Sequence, residues 1–551
     1  MIDQRSGACP APFTVRDADL RRLADETWDV LIVGGGIVGA GALLDARSRG
    51  LKAALVEQDD VASGTSSRSS RLIHGGLRYL EQMHVGLVRE ALHERARLLD
   101  LAPHLVRLES FLFPLYGRPV ITRAFYEAGL TLYDVLGSAK SGGRHRHLGL
   151  EETLEFAPNL RPRGLRGAML YHDGMEDDAR YTLGVLLTAR QMGGVAVTRA
   201  RAIAALHDGD RVAGATVRDE LTGATFDVRA TTVLDATGVW GSTPDRPFGR
   251  EGATFNVLPS RGSHLVVDRA RIPVKGGVTI PVPGKVVFLV PWPRHWVIGT
   301  TDDPYKGPVD RPSATGADVD RILSALNGAF DLDVTRDDIL GTYAGLRPLV
   351  APSDASSTVK VSREHKVAVE GKGLVRISGG KYTTYRLMAR DAIDAVLGDD
   401  AKGRPTGTAT IRITGAAPRP DLDALVASLA PEPGVGPDAA RSLVDRHGTA
   451  ATDVLAMGRD RDLVRPLVDG HPFLEAEVAW AAERELAMSL DDVLARRMRL
   501  AMTLRDRGAM IAPRVAAIVG DVLGWDEERR AAEVGRYLLG ARREFDVPPP
   551  A

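Results

Sequence analysis

The chain has 551 residues, of which 44% are hydrophobic and 26% are charged, and its formal net charge is −1. A chain of this length exceeds one hydrophobic core, so we expect two or three globular domains. The near-zero net charge excludes a strong overall attraction to nucleic acid. The one cysteine, Cys9, excludes an internal disulfide and any multi-cysteine metal site, and it suits a reducing cytoplasm.

The N-terminal segment, residues 1–28, predicts a loose tail and a short amphipathic helix at residues 17–27 that packs on the following domain. Its first residues lack an apolar core of signal-peptide length. The most apolar run, residues 30–44, contains five glycines and is short for a membrane span. We therefore do not expect the chain to span a membrane, although it could still attach to a membrane surface.

The first motif with a chemical meaning follows directly. It comprises, in order, an apolar strand at residues 29–33, the glycines Gly34, Gly36 and Gly39, a helix ending near residue 50, an apolar strand at residues 53–56, and Glu57. The glycines permit a tight turn that brings a pyrophosphate to the helix N-terminus, and the carboxylate binds a ribose hydroxyl. This order predicts a dinucleotide site in a doubly wound α/β sheet. FAD and NAD share the pattern, so it does not choose between them.

A loop rich in Ser, Thr and Gly is predicted next, at residues 59–80. Its hydroxyl and backbone groups can bind a diphosphate, and an ordinary polar surface loop is the alternative. Helices are predicted at residues 90–99 and 118–136, with a buried strand and turn between them. The two histidines at residues 144–147 are expected in solvent rather than on a metal, because no carboxylate or cysteine stands at ligand spacing.

Two small-residue turns later in the chain each follow an apolar strand. One lies at Gly238, and the other, Gly379 with Gly380, precedes a predicted helix. Such turns let backbone approach a nucleotide at the edge of a sheet, although the second lacks the Ser or Thr of a P-loop, which disfavours ATP. Between them, β-branched runs at residues 255–310 predict an inserted antiparallel sheet, a natural platform for a substrate.

Beyond residue 400 the composition changes. Residues 401–436 are rich in Pro and Gly and predict a linker, and residues 437–551 predict a separate α-helical domain. Its helices are predicted at residues 473–488, 490–505, 513–523 and 526–539. The basic segment at residues 495–507 suits contact with anionic lipid or a partner, but the solvated face of an amphipathic helix is the favoured interpretation.

Together these pieces resemble the FAD-dependent glycerol-3-phosphate dehydrogenases. The motifs that carry the resemblance are, in chain order, GGGIVGAG, GTSSRSSRLIHGGLRYLE, DDAR, DATGVW, RGSHLVV, IGTTDD, AGLRPL and SGGKYTTYR. They cover residues 29–395, the second motif is the most specific, and the resemblance continues more weakly into the helical region. Asp235 and Val239 stand where the family commonly has asparagine and proline, which affects the turn more than the reacting atoms.

The resemblance implies a fold. This fold is α/β, with a Rossmann-type FAD-binding domain at residues 29–400. It is interleaved with an inserted antiparallel β-sheet substrate domain, mainly at residues 250–345, and is followed by the C-terminal α-helical domain.

The resemblance also implies an activity. It is the oxidation of sn-glycerol 3-phosphate to dihydroxyacetone phosphate by hydride transfer to flavin N5, with the electrons passed to a membrane quinone. The alternatives are a glycerol-3-phosphate oxidase that uses oxygen and a non-catalytic flavin-binding protein. We expect a cytoplasmic homodimer, open to peripheral contact with the cytoplasmic face of the inner membrane, without a nucleic-acid partner and without a metal.

The resemblance assigns residues to the cofactor. The predicted FAD-binding residues are Gly34, Gly36, Gly39, Glu57, Thr65, Ser66, Ser70, His74, Gly238, Gly379, Gly380 and Thr383. Among them, His74 is expected to abut the flavin and Thr383 to offer a nearby donor. The flavin ring is expected far from the first glycine turn, where the middle and the end of the chain converge.

A second set is assigned to the substrate, whose phosphate dianion suits the planar fork of arginine. The predicted substrate-binding residues are Arg78, Tyr79, Arg347, Arg363 and Lys381. Lys381 lies at a predicted helix N-terminus, where it either contacts the phosphate or stabilises negative charge on the reduced flavin.

The predicted catalytic residues are His264, Arg347 and Lys381. His264 is considered as the base that takes the substrate's hydroxyl proton, because imidazole titrates near neutral pH. A core or supporting histidine is the alternative for this position.

Overall fold

The structure is a computed structural model that describes residues 12–76, 85–117, 144–243, 246–248, 254–283, 285–351 and 364–551. Its α-helices are α1 (Pro12–Asp25), α2 (Ile37–Ser48), α3 (Val85–Leu101), α4 (Leu150–Phe156), α5 (Asp178–Gln191), α6 (Gly316–Ala329), α7 (Tyr385–Leu397), α8 (Arg419–Leu429), α9 (Gly436–His447), α10 (Ala451–Asp460), α11 (Glu475–Arg484), α12 (Leu500–Thr503), α13 (Ala512–Leu523) and α14 (Glu527–Phe545). Its strands are β1 (Thr27–Val33), β2 (Ala53–Val56), β3 (Leu72–Ile73), β4 (Val106–Tyr116), β5 (Arg146–Leu148), β6 (Leu165–Glu176), β7 (Val195–Val197), β8 (Ala200–Asp208), β9 (Arg211–Asp219), β10 (Thr225–Asp235), β11 (Asn256–Asp268), β12 (Gly277–Val282), β13 (Lys285–Trp292), β14 (His295–Gly299), β15 (Asp303–Pro304), β16 (Ile339–Ala351), β17 (His365–Val369) and β18 (Leu374–Gly379). The helix predicted at residues 118–136 lies outside the described residues.

The first sheet has a parallel core in the order β18, β10, β1, β2 and β7. Strands β2 and β7 are entirely apolar and buried, because helices cover one face of the sheet and a second apolar cluster covers the other. Helices α2, α5 and α7 pack on the first face through side chains such as Leu43, Tyr181 and Ile393. The strand order reverses at β1, and in such sheets the crevice beyond the carboxyl ends of the strands binds the ligand.

The second sheet is largely antiparallel and is built around the long strands β11 and β16, which pair along most of their length. This confirms the expected inserted sheet. It also contains β3, β4, β5 and β6, so the sheet begins much earlier in the chain than the expected residues 250–345. The buried strand and turn predicted between the two helices cover residues 111–119, and β4 begins earlier, at Val106. Its pairing partners lie tens of residues away, and local periodicity does not reveal them.

The C-terminal helices α8–α14 form a domain with its own apolar core, which also packs against the second sheet. The segment predicted as a linker, residues 401–436, contains helix α8. Its prolines misled the prediction, since a proline in the first helical turn costs no hydrogen bond and favours a helix start. The helix predicted at residues 490–505 is also wrong as a single element. It is a π-helical turn, Asp492–Arg497, and the short α12, separated at Arg499, whose φ is +63°.

The N-terminal helix α1 packs on the first sheet as expected. Leu23 is fully buried beside Trp28, and Arg16 forms an ion pair of 2.7 Å with Asp219 at the end of β9. Among the helices that the structure describes, we find none with the length and apolarity that crossing a bilayer requires. The described residues also hold no cluster of three His, Cys, Asp or Glu side chains suited to a metal ion.

Candidate functional site

A cavity of about 360 Å³ lies beyond the carboxyl ends of the first sheet's parallel strands, where β11 and β16 of the second sheet close over it. The loop at residues 63–70 forms one of its walls. Residues predicted for the cofactor or the reaction that line this cavity are Gly34, Gly36, Glu57, Thr65, Ser66, Ser70, His74, Gly238, His264, Arg347, Gly379, Gly380, Lys381 and Thr383. Residues separated by more than 300 positions therefore meet in one place.

The first glycine turn is shaped for close backbone approach. Gly34 has a φ of +114°, and a Cβ there would lie 2.6 Å from the carbonyl oxygen of Ala236. Gly39 does not line the cavity; a Cβ there would collide with the carbonyl of Gly34, so this glycine lets α2 pack on the turn. The N–H of Ile37, in the first turn of α2, donates to Ser66 Oγ at 2.9 Å. Gly36, Ile37 and Val38 line the cavity, so the N-terminus of α2 faces it, which fits the diphosphate of a dinucleotide.

Glu57 follows β2 at the same edge. Its Oε2 accepts from the N–H of Gly35 at 2.6 Å, and its Oε1 accepts from the N–H of Asp59 at 2.8 Å. Burial raises the pKa of this carboxyl to about 7. Each carboxylate oxygen has a second lone pair, so the group can still accept a ribose hydroxyl in the predicted position.

The loop after β2 joins the two sheets. Thr65 Oγ1 donates to the carbonyl of Leu346 on β16 at 2.6 Å, and Ser70 Oγ lies 2.8 Å from Nε2 of His264 on β11. The loop is therefore an internal connection rather than the polar surface loop considered as an alternative. Its hydroxyl groups lie where a bound dinucleotide and a substrate would meet.

The glycine pair at the end of β18 also lines the cavity. Gly379 and Gly380 have φ values of +82° and +78°, and half-buried Lys381 follows them. A 3-10 turn, Tyr382–Thr384, then leads into α7, so Lys381 lies at a helix start as predicted. The N–H of His74 donates to Thr383 Oγ1 at 3.2 Å, which ties the loop after β3 to this turn.

His264 and Arg347 come together through strand register. His264 on β11 pairs with Tyr343 on β16, and Arg347 pairs with Ser260, so alternation along each strand puts His264 and Arg347 on one face. The imidazole of His264 stacks on the Tyr343 ring with centroids 4.7 Å apart. Burial, assisted by the positive charges of Arg347 and Arg71, lowers the pKa of His264 to about 3. The ring is therefore neutral at physiological pH.

Arg347 is held at the cavity wall by the segment after β14. Its Nη2 donates to Thr300 Oγ1 at 3.1 Å, and its Nη1 lies 3.3 Å from the Asp302 carboxylate. These contacts explain the residue types in the IGTTDD motif. They orient the guanidinium toward the space that His264 also faces.

Three predicted substrate residues, Arg78, Tyr79 and Arg363, lie outside the described residues, and their roles stay predictions. Sequence reasoning missed Trp240, whose indole lines the cavity against Gly64, where a Cβ would lie 2.6 Å from the ring. The sequence contained a signal for this residue, because the DATGVW motif includes this tryptophan two positions after Gly238.

Comparison with known proteins agrees with this geometry. The family described as FAD dependent oxidoreductase matches residues 29–386, and the C-terminal domain of alpha-glycerophosphate oxidase matches residues 406–530, starting inside the segment predicted as a linker. Glycerol-3-phosphate dehydrogenase 2 of Mycobacterium tuberculosis is 44% identical over 96% of this chain and 90% of its own. The human mitochondrial glycerol-3-phosphate dehydrogenase is 35% identical over 94% of this chain and 74% of its own.

A solved structure extends the likeness to three dimensions. The glycerol-3-phosphate dehydrogenase from Bacillus halodurans, crystallised with FAD, superposes with a TM-score of 0.78 at 29% identity, over 96% of this chain and 97% of that one. The fold, the glycine turns and the cavity fit the same cofactor. With the sequence identity to the curated relatives, these findings establish that the chain belongs to the family of FAD-dependent glycerol-3-phosphate dehydrogenases.

Proposed function

We propose that the chain oxidises sn-glycerol 3-phosphate to dihydroxyacetone phosphate and delivers the electrons to a membrane quinone. The observation that carries this proposal is the neutral, buried imidazole of His264 beside the guanidinium of Arg347, on one face of paired strands at the cavity. FAD, when bound, supplies the hydride acceptor at flavin N5. The side chains of this chain bind the phosphate, orient the carbinol carbon and take the hydroxyl proton.

Phosphate binding is assigned first to Arg347. A guanidinium presents a planar fork that matches two phosphate oxygens, and the contacts to Thr300 and Asp302 fix the direction of this fork. The family resemblance adds Arg78, Tyr79 and Arg363 to the same task. A phosphate held by this set would place the secondary alcohol next to His264.

Proton removal is assigned to His264. Its ring is positioned by the Ser70 hydroxyl and by stacking on Tyr343. Because the ring is neutral before substrate arrives, it accepts the hydroxyl proton while the hydride leaves the adjacent carbon. The dianionic substrate offsets the positive charges of Arg347 and Arg71, which makes the imidazole more basic in the complex than in the free protein.

We assign to Lys381 the role of stabilising the negative charge that develops during the reaction. Lys381 directly precedes the 3-10 turn that leads into α7, and the backbone N–H groups of that turn add to the charge of the side chain. Both effects favour an anion at this edge of the cavity, either on the reduced flavin or on the substrate phosphate.

The quinone and the peripheral membrane contact rest on the resemblance. The names of the mycobacterial and mitochondrial relatives, which are dehydrogenases, favour an acceptor other than oxygen. An oxidase of the same substrate and a flavoprotein without catalysis remain the two outcomes against which the proposal is tested.

The deciding experiment is an anaerobic titration of the purified, FAD-loaded protein with glycerol 3-phosphate. We expect the flavin absorbance to bleach, and we expect a soluble quinone analogue to restore it much faster than oxygen does. Bleaching followed by rapid reoxidation in oxygen, with one peroxide formed per flavin, would identify an oxidase. A flavin that glycerol 3-phosphate leaves oxidised would contradict both enzymes and favour the non-catalytic alternative.

A further inference from the structure

The loop between β2 and β3 presents different groups on its two sides. Toward the cavity it presents the hydroxyls of Thr65, Ser66 and Ser70. Toward the C-terminal domain it presents the carboxylate of Asp60 and the backbone carbonyl of Ser67. The groups on this second side are bound by the basic segment that the sequence predicted to be a solvated helix face.

That segment is buried. Arg496, Arg497 and Arg499 have 6%, 4% and 2% of their surface exposed, so neither solvent nor a lipid surface contacts them. They stand on and directly after the π-helical turn that interrupts the predicted helix. The interpretation of these three arginines as a solvated face is therefore wrong, and their charges must be compensated inside the protein.

Two of these arginines share one carboxylate of the loop. Asp60 is fully buried, and its Oδ2 accepts from Arg496 Nε at 2.5 Å and from Arg497 Nη1 at 2.6 Å. Its Oδ1 accepts from Arg497 Nη2 at 2.8 Å. Asp60 stands six positions before Ser66, so this carboxylate anchors the start of the cavity-lining stretch.

The third arginine binds further along the loop. Arg499 Nη1 donates to the carbonyl of Ser67 at 2.9 Å, and its Nη2 bonds the carboxylate of Asp178. The other oxygen of Asp178 accepts from the N–H of Ser69 at 2.9 Å. Arg499 thus holds both neighbours of Arg68, one directly and one through a carboxylate.

The backbone of Arg499 points to a constrained role. Its φ of +63° is costly for a residue with a side chain, and such conformations persist where the surroundings over-determine them. Buried ion pairs are also weak contributors to net stability, because desolvation offsets much of their attraction. Three buried arginines in one segment are therefore better explained by a role in fixing a particular loop geometry than by a role in general stability.

We propose that Arg496, Arg497 and Arg499, here named the arginine clamp, are positioning residues by which the C-terminal domain holds the cavity-lining loop in its FAD-binding geometry. None of these three arginines is among the described residues that line the cavity. It acts through the loop, where Ser66 meets the first helical N–H of α2 and Ser70 meets His264. The helical domain, which shows no chemistry of its own in the sequence, thereby contributes to cofactor affinity and to the placement of the base.

The test replaces Arg499 by Met in the FAD-loaded, full-length protein. The rate at which flavin fluorescence appears on dilution measures FAD release, and hydrogen exchange of peptides covering residues 59–70 measures the loop. We expect FAD release to accelerate by about tenfold, the lower end of the loss that follows removal of a hydrogen bond to a charged group, and exchange in the loop to accelerate. We also expect slower flavin reduction at saturating glycerol 3-phosphate, because Ser70 would no longer hold His264 as firmly.

The matched control is Arg446→Met. Arg446 lies in the same domain and pairs with the buried Glu477, and none of the hydrogen bonds described for it reaches the loop. A general loss of stability would affect both variants alike, whereas a positioning role affects FAD release and loop exchange in Arg499→Met alone. Equal FAD release in the two variants at equal thermal stability would overturn the proposal.

A conservative variant covers the case in which Arg499→Met does not fold. Arg499→Lys keeps the positive charge but loses the planar fork that reaches Ser67 and Asp178 together. We expect it to fold and to release FAD faster than the wild type, and more slowly than Arg499→Met where that variant folds. Release and loop exchange identical to the wild type in Arg499→Lys would also overturn the proposal.

Discussion

The cavity wall and the domain interface use the same residue types in different electrostatic settings. At the interface, the guanidinium groups of Arg497 and Arg499 are nearly fully buried and bind aspartates of the FAD-binding domain. At the wall, Arg347 keeps 27% of its side chain exposed and lies 3.3 Å from Asp302. An arginine neutralised inside the protein can organise structure, whereas one that faces a cavity can exchange its contacts for a ligand's phosphate.

Two buried histidines show the same contrast. His447, at the interface, lies 3.0 Å from Glu477 and 3.4 Å from Glu485. His264, at the wall, faces a hydroxyl, an aromatic ring and two arginines. His447 is thus bonded within the protein through carboxylates, whereas the contacts described for His264 are a hydroxyl and an aromatic ring beside the cavity.

The largest effect is expected from His264→Gln. Loss of a general base typically slows the chemical step by about 10²–10⁴-fold, and we expect flavin reduction by glycerol 3-phosphate to slow by that amount while FAD stays bound. Stopped-flow absorbance under anaerobic conditions measures this rate. The control is His295→Gln, since His295 is also a histidine with a lowered pKa, about 4, but lies outside the FAD cavity. If the rate of flavin reduction in His264→Gln lies within a few-fold of that in His295→Gln, a group other than His264 takes the hydroxyl proton.

Arg347→Ala is expected to act mainly on substrate affinity. Losing a hydrogen bond to a charged partner costs about 1.5–3 kcal/mol, which predicts a KM for glycerol 3-phosphate raised by about 10–150-fold. Steady-state kinetics with a quinone analogue measures it. The matched control is Arg261→Ala, because Arg261 stands on β11 but binds Asp318 at 3.0 Å instead of lining the cavity. A similar KM in both variants would remove Arg347 from the phosphate site.

The sequence predicted most of the residues that meet at the cavity, but it did not predict the contacts at the domain interface. Gly34, Gly36 and Glu57 lie within one βαβ unit, where local spacing carries the information. His264 and Arg347 were found through family resemblance, because their proximity depends on the register of two strands more than 70 positions apart.

The clamp offered no such signal. Arg497 and Asp60 are 437 positions apart, and a run of arginines on a helical period has the same appearance whether it meets water or a buried aspartate. The interruption at Arg499 was equally hidden, because no glycine or proline marks it and the ion pairs of Arg499 are made to distant residues. Charge patterns alone therefore located the basic segment but misjudged its environment.

A smaller effect is expected from Lys381→Met. The side chain adds to a helix N-terminus that remains in the variant, so we expect flavin reduction to slow by about tenfold, equal to about 1.4 kcal/mol. Single-turnover reduction measures the rate, and FAD release measures binding separately. Lys366→Met on β17, which does not line the cavity, serves as the control. A variant that loses FAD but reduces its remaining flavin at the normal rate would assign Lys381 to cofactor binding instead.

The last prediction concerns the pH dependence of stability, and it tests the environment of His264 without substrate. In the folded protein the pKa of His264 is lowered to about 3, below its ordinary value of 6.5, so between these values the unfolded chain binds a proton that the folded protein does not. The wild type should therefore lose up to about 1.4 kcal/mol of stability per pH unit from this group as the pH falls below 6.5. His264→Gln removes the group, so its melting temperature should fall less steeply than that of the wild type between pH 6.5 and 4.5. Parallel curves would mean that His264 titrates alike in both states, and the contrast between the cavity wall and the interface would then not rest on a neutral imidazole.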